Sequence, residues 1–198
     1  MTFPHIIDNF ITEEECDHLL HVSKYCNAAF DDSTTDVNNE RWKSRIAYQK
    51  HVKTYDPEAK DMMVNIAARV HHLFADIMPA LNVYVEMPQF SRWQKGDRLD
   101  PPHIDNCEHD GRDNLTPWRH FGYVLYLNED FDGGQLFYPN YNIEYEPKTA
   151  ALAVHTAGPE CMHGVREVTS GLRHTLIGFA TINRRHYEEH PEAYYHDR

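Results

Sequence analysis

A change of hydrophobic period near Asn82 limits the fold more than any other feature of this chain. Before it, apolar residues recur every three or four positions, as on one face of a helix. After it they alternate in short runs interrupted by turn formers. Thr12-Glu13-Glu14-Glu15 reads as a capping box: the threonine hydroxyl accepts from the third helical N–H and Glu15 reaches back. Cys16, Leu19, Leu20 and Tyr25 or Cys26 follow at helical spacing. A second helix should open with Asp56 as N-cap and Pro57 at its first position, where a missing N–H has no partner to lose. Met62, Met63, Ile66, Val70, Leu73, Phe74 and Ile77 give it one apolar face for core packing. Between the helices, Asp31–Glu40 is polar and rich in turn formers. It predicts a mobile loop and a candidate lid, whereas Trp42–Val52 alternates enough for a strand.

Beyond Asn82, short strands are predicted at Val83–Trp93, Pro102–Asp105, Arg119–Leu127, Gln135–Phe137, Ile143–Glu146, Ala150–His155, Cys161–Val168 and Arg173–Thr181. Lys95-Gly96-Asp97, Asp132-Gly133-Gly134, Tyr138-Pro139-Asn140, Ala157-Gly158-Pro159 and Ser170-Gly171 separate them as turns. Short strands following helices predict an α+β, mainly β chain: a double-stranded β-helix (jelly roll) backed by N-terminal helices. One domain is expected over 1–198. It comprises a helical scaffold with a first strand at 1–81, the jelly-roll core at 82–182 and a polar tail at 183–198.

Composition narrows the partners. A formal charge of −12 argues against nucleic acid as the main one. Apolar runs such as Ala150–Val154 stop far short of a membrane span, and the N-terminus lacks the pattern of a signal peptide. Cysteines at 16, 26, 107 and 161 form no CxxC pair, so free thiols in a reducing, cytoplasmic compartment are expected.

The 15 histidines need sorting. His18, His21, His71, His72, His186 and His190 lie among charged neighbours in helical or tail segments and read as surface. His103-Ile104-Asp105 is different. On a strand, residues two apart share a face, so an imidazole and a carboxylate would project together. A second imidazole would complete the two-histidine, one-carboxylate face used by non-haem Fe(II) oxygenases, and His163 starts a later predicted strand. His186-Tyr187-Glu188 and His190-Pro191-Glu192 repeat the pattern but have no later strand to supply a third ligand. Arg173 opens the last alternating strand. An inward arginine in an apolar barrel requires an anion, and its guanidinium fork suits a carboxylate.

From about Gln89 to Thr181 the chain resembles the Fe(II)/2-oxoglutarate dioxygenases, within them the prolyl 4-hydroxylase group. The motifs that carry the resemblance are Trp93-x-x-Gly96, His103-Ile104-Asp105, Tyr126-Leu127-Asn128, Phe131-Asp132-Gly133-Gly134, His163-Gly164-Val165 and Val168-Thr169-Ser170-Gly171-Leu172-Arg173. It implies His103, Asp105 and His163 as catalytic iron ligands. Arg173, Tyr126, Trp93 and Thr175 would form the 2-oxoglutarate site, and Arg119, Trp118 and Phe179 the substrate site. It further implies Fe(II), 2-oxoglutarate, O2 and ascorbate as reductant.

Three departures bear on the substrate. Leu99 and Asp100 replace the usual tyrosine before the metal histidine, the spacing from Gly96 to His103 is one residue longer, and Phe179 replaces a tryptophan. Hydroxylation of a prolyl residue in a peptide or protein is what the resemblance implies, and these departures speak for the first of its alternatives. A hydroxylase of a free amino acid or other small molecule, and a non-catalytic metal-binding barrel, are the alternatives.

Overall fold

The computed structural model describes residues 3–34 and 42–196. Helix α1 (Glu13–Tyr25) starts at the expected capping box. Glu15 N–H donates to Thr12 Oγ1 at 3.2 Å, and Thr12 N–H donates to Glu15 Oε2 at 2.9 Å. The same carboxylate receives both terminal nitrogens of Arg69, at 2.6 and 3.1 Å, which ties the start of α1 to a later helix. That helix, α4, covers Pro57–Ile77 and is capped by Asp56, whose Oδ1 accepts from Ala59 N–H at 2.8 Å. Its buried face is Ala59, Met63, Ile66, Ala67, Val70 and Phe74.

Two shorter helices correct the expectations between them. Asp31–Thr34 belong to α2 (Asn27–Thr34), and the remainder of the candidate lid, 35–40, lies outside the described residues. Within Trp42–Val52 only β2 (Ile46–Tyr48) is a strand. The chain then turns into α3 (Gln49–Tyr55), burying Val52 against the other helices.

The remaining strands are β1 (His5–Ile7), β3 (Tyr84–Val85), β4 (Gln89–Gln94), β5 (Leu99–His103), β6 (Phe121–Tyr126), β7 (Asp132–Gly133), β8 (Leu136–Tyr138), β9 (Ile143–Tyr145), β10 (Leu152–Thr156), β11 (His163–Val165), β12 (Val168–Ser170) and β13 (Leu172–Thr181). All the pairings are antiparallel, giving the α+β, mainly β architecture. A major sheet runs β1-β10-β6-β13-β4-β2 with β3 also on β13, a minor sheet runs β5-β11-β8-β9, and β12 pairs β7.

Strand ends moved for local reasons. The predicted Val83–Trp93 strand breaks before β4 at Pro88, which has no N–H for a ladder. Cys161–Val168 divides into β11 and β12. Asp132-Gly133, expected as a turn, pairs with β12. The terminal segment is more than a polar tail. After α5 (Arg184–Glu189), Tyr194 is buried, it bridges Glu86, and Tyr195 N–H donates to Val85 O at 2.8 Å. Two tyrosines give that segment something to bury.

Alternation along the major sheet separates its faces. Phe90, Phe121, Tyr123, Leu125, Leu152, Val154, Leu176 and Ala180 join the helices in one apolar core. Ser91, Trp93, Tyr126, His155, Arg173 and Thr175 are buried on the face turned toward the minor sheet. The four cysteines form no disulfide, and no helix among the described residues is long and apolar enough to cross a membrane.

Candidate functional site

Strand register builds the site. β5 and β11 run antiparallel with His103 directly opposite His163, and the two ring centroids are 4.4 Å apart. Asp105 lies just beyond the end of β5. Its main-chain carbonyl accepts from Thr116 Oγ1 at 2.8 Å and from Asn114 Nδ2 at 3.0 Å, which holds the turn. One ligand atom from each of His103, Asp105 and His163 falls within 4.8 Å of the others, so these three can hold a metal ion.

Their hydrogen bonds orient the donors. His103 Nδ1 donates to the His163 carbonyl at 3.1 Å, and His163 Nδ1 donates to the Cys161 carbonyl at 2.9 Å. With both Nδ1 protons engaged, each imidazole presents its Nε2 lone pair inward. Burial, then the neighbouring His155, pushes the His163 imidazole down to about 3, so it is neutral and able to bind metal near pH 7. Burial alone would raise the Asp105 carboxyl. The facing histidines, His163 first and then His103 and His155, outweigh that and hold it well below the usual carboxylate range.

His155 belongs to this group although nothing in the sequence singled it out. It is 1% exposed and lies between Tyr138 Oη, 2.9 Å from its Nδ1, and Asp105 Oδ2, 3.3 Å from its Nε2. The available signal was a histidine closing an otherwise apolar strand. The opposing register makes room for it: a β-carbon added at Gly122 would stand 2.5 Å from His155 Nε2 and 3.0 Å from Asp105 Oδ2.

A cavity of about 90 Å³ runs from His103, Asp105, His155 and His163 to Arg173, walled by Trp93, Leu99, Leu136 and Val165. Arg173 is 2% exposed, and among the described residues no carboxylate pairs with it. One terminal nitrogen donates to Tyr126 Oη at 3.4 Å, and its Nε has no partner. A buried cation so poorly satisfied is a site for an anion. Trp93 lines the cavity, but its indole N–H donates to Ser91 Oγ at 2.8 Å. Thr175 follows Arg173 on the same face, with its hydroxyl committed to the Ser91 carbonyl at 3.3 Å.

A second, open cleft of about 760 Å³ meets the first, since Trp42, His103, Asp105, Ile177 and Phe179 line both. Arg119 lines this cleft, with its guanidinium 3.4 Å from the Phe179 ring centroid and 3.3 Å from Glu86 Oε2. Trp118, expected at the substrate site, is absent from the lining. It stacks on His186, with ring centroids 4.2 Å apart, and donates to Glu86 Oε1 at 3.2 Å, so it supports the wall from behind.

The chain matches a family profile described as the 2OG-Fe(II) oxygenase superfamily over residues 88–181. It is 29% identical over 110 residues to prolyl 3-hydroxylase 1 of Rattus norvegicus, covering 50% of this chain and 15% of that protein. It is 34% identical over 109 residues to prolyl 3-hydroxylase 3 of Mus musculus, covering 48% of this chain and 15% of that protein. The chain thus spans only 15% of the length of these relatives. Among solved structures, its fold is similar to a prolyl hydroxylase from Trichoplax adhaerens in complex with a hypoxia inducible factor oxygen degradation domain peptide fragment. There the TM-score is 0.68 at 19% identity, covering 91% of this chain and 84% of that one. It is also similar to a viral collagen prolyl hydroxylase from Paramecium Bursaria Chlorella virus-1, in its 2OG complex. For that structure the TM-score is 0.64 at 18% identity, covering 91% and 96%.

Proposed function

We propose that this chain, which belongs to the 2OG-Fe(II) oxygenase superfamily over residues 88–181, is an Fe(II)- and 2-oxoglutarate-dependent hydroxylase of prolyl residues in a peptide or protein. One observation carries the reading. A single small cavity holds the His103/Asp105/His163 group at one end and, at the other, a buried arginine whose Nε has no partner. The donor set of two imidazoles and a carboxylate fits Fe(II), and a guanidinium with no carboxylate beside it among the described residues fits the distal carboxylate of a dicarboxylate cosubstrate.

His103 and His163 would hold the metal through Nε2 and Asp105 through Oδ1. Arg173, helped by the Tyr126 hydroxyl, would fix 2-oxoglutarate. Trp93, Leu136 and Val165 keep that chamber dry and strengthen the ion pair. When bound, the iron and cosubstrate together supply O2 activation and C–H hydroxylation, with 2-oxoglutarate leaving as succinate and CO2. Ascorbate would serve as reductant.

The open cleft supports a peptide rather than a free amino acid, because extended backbone can pass Arg119 and Phe179 while one side chain reaches toward His103. Prolyl 3-hydroxylase relatives and the peptide-bound Trichoplax adhaerens enzyme support proline as the target. The test is succinate release with Fe(II), 2-oxoglutarate and ascorbate, comparing proline-containing peptides with free amino acids and detecting a +16 product by mass. Turnover with peptides is expected. Turnover with free amino acids alone would overturn the substrate assignment, and no succinate with either would favour a non-catalytic barrel.

A further inference from the structure

We propose that His155, backed by the Tyr138 hydroxyl, is a positioning residue that holds Asp105 so that only Oδ1 faces the metal. This rests on the metal-site reading above.

The geometry divides the two carboxylate oxygens between different tasks. Oδ1 lies 3.0 Å from His103 Nε2 and 4.0 Å from His163 Nε2, inside the ligand cluster. Oδ2 instead meets His155, 3.3 Å from its Nε2. For that contact to be a hydrogen bond, His155 must carry its proton on Nε2. The Asp105 carboxylate, which can only accept, selects that tautomer, and the Tyr138 hydroxyl, buried 2.9 Å from Nδ1, can then donate to the lone pair there. A chain of donation therefore runs from Tyr138 through His155 to Asp105. An engaged Oδ2 cannot swing toward the cation, so the carboxylate binds through one oxygen and leaves coordination positions open.

Packing independently points to the same contact. Gly122 faces His155 across the β6–β10 pair, and any β-carbon there would collide with Nε2 and crowd Asp105 Oδ2. The sheet leaves one side chain's space empty where the imidazole meets the carboxylate. His155 is also spent on neither substrate cleft nor core: it does not line the larger cleft, and both its nitrogens are accounted for.

The test titrates Mn(II) into the metal-free full chain by calorimetry. It also records the visible charge-transfer band of the anaerobic Fe(II)–2-oxoglutarate complex. His155→Leu, which removes the donor, should weaken Mn(II) binding about 10–100-fold and shift or abolish the band. His155→Gln, whose amide nitrogen can reach the Nε2 position, should restore binding to within about threefold of the starting protein. His155→Asn, whose donor stops at the Nδ1 position, should not. Tyr138→Phe should weaken binding less, and add nothing in the His155→Gln background.

A purely structural histidine would lower thermal stability in every variant without separating Gln from Asn. Equal Mn(II) affinity for the starting protein and His155→Leu would overturn the proposal. So would a loss confined to 2-oxoglutarate affinity, which would make His155 a cosubstrate contact. Should His155→Leu fail to fold, Gly122→Ala tests the same contact by displacing the imidazole, and unchanged Mn(II) affinity there would be equally fatal. If the starting protein itself binds no Mn(II), the metal-site reading fails and this proposal with it.

Discussion

The two faces of the major sheet are made by the same strands and do opposite jobs. Along β13, Leu176 and Ala180 pack on the helices while Arg173 and Thr175 face the minor sheet. Along β10, Leu152 and Val154 point one way and His155 the other. The helix face gains from every apolar contact it closes. The cavity face holds a buried arginine with an unpartnered Nε and, in His155, an imidazole turned toward the histidines of the minor sheet, groups that burial disfavours. Stability and chemistry thus alternate along one strand with a period of two, so substitutions one residue apart should have unrelated consequences.

The largest expected effect lies on the cavity side. His103→Ala, Asp105→Ala or His163→Ala should abolish succinate release while leaving the metal-free fold intact by circular dichroism. Unfolding in these variants would break the proposed separation of the two faces. Next, Arg173→Met should raise the KM for 2-oxoglutarate by roughly 30–5,000-fold, corresponding to about 2–5 kcal/mol for a lost buried charge pair. The same variant should not lower the melting temperature of the unliganded protein, because it removes a cation that the free fold leaves poorly satisfied. An unchanged KM would remove the anion-site role.

On the helix face the pattern reverses. Leu125→Ala should cost about 3 kcal/mol in denaturant unfolding, with the KM for 2-oxoglutarate unchanged among molecules that remain folded. An effect that shows only in acid probes the exception on that face. His174 is buried there, with its Nδ1 2.8 Å from Ser23 Oγ and its Nε2 unpartnered. Burial, then Lys24 on α1 and Arg92 on β4, with Asp130 opposing, push it down to about 4.

An unfolded histidine binds its proton near 6.5, so between pH 6.5 and 4 the unfolded chain holds a proton that the folded one refuses. Stability should therefore be full above pH 6.5 and fall as pH drops, with roughly 3 kcal/mol at stake by pH 4. His174→Asn should flatten the slope of unfolding free energy against pH without removing it, because His163 is depressed as well. An unaltered slope would show that His174 is not the sensor.

What the sequence disclosed depended on the range of the interaction. The capping box at Thr12 and the Asp56-Pro57 helix start are written in adjacent residues, and both formed as expected. His103, Asp105 and His163 were legible because two lie within one short motif and the third starts a strand. Trp118 lines neither cleft because it is held from behind by His186, which stacks on it from beyond the last strand and which its position before β6 does not announce. His155 was invisible because its meaning depends on two residues far along the chain, Tyr138 and Asp105, and on a gap left by Gly122. The α3 turn at Gln49 came from packing of Val52 that no local pattern announces.

The pairing of His103 opposite His163 across β5 and β11 also ties the metal site to folding. The two imidazoles come from separate strands and meet only when β5 and β11 have settled in one register, for a slip of a single residue would send one of them to the opposite side of the sheet. A captured cation would then act as a rivet between the strands, and its binding energy would be added to that of the finished barrel alone. Metal uptake followed in time during refolding would thus serve as a clock for the last step of sheet closure.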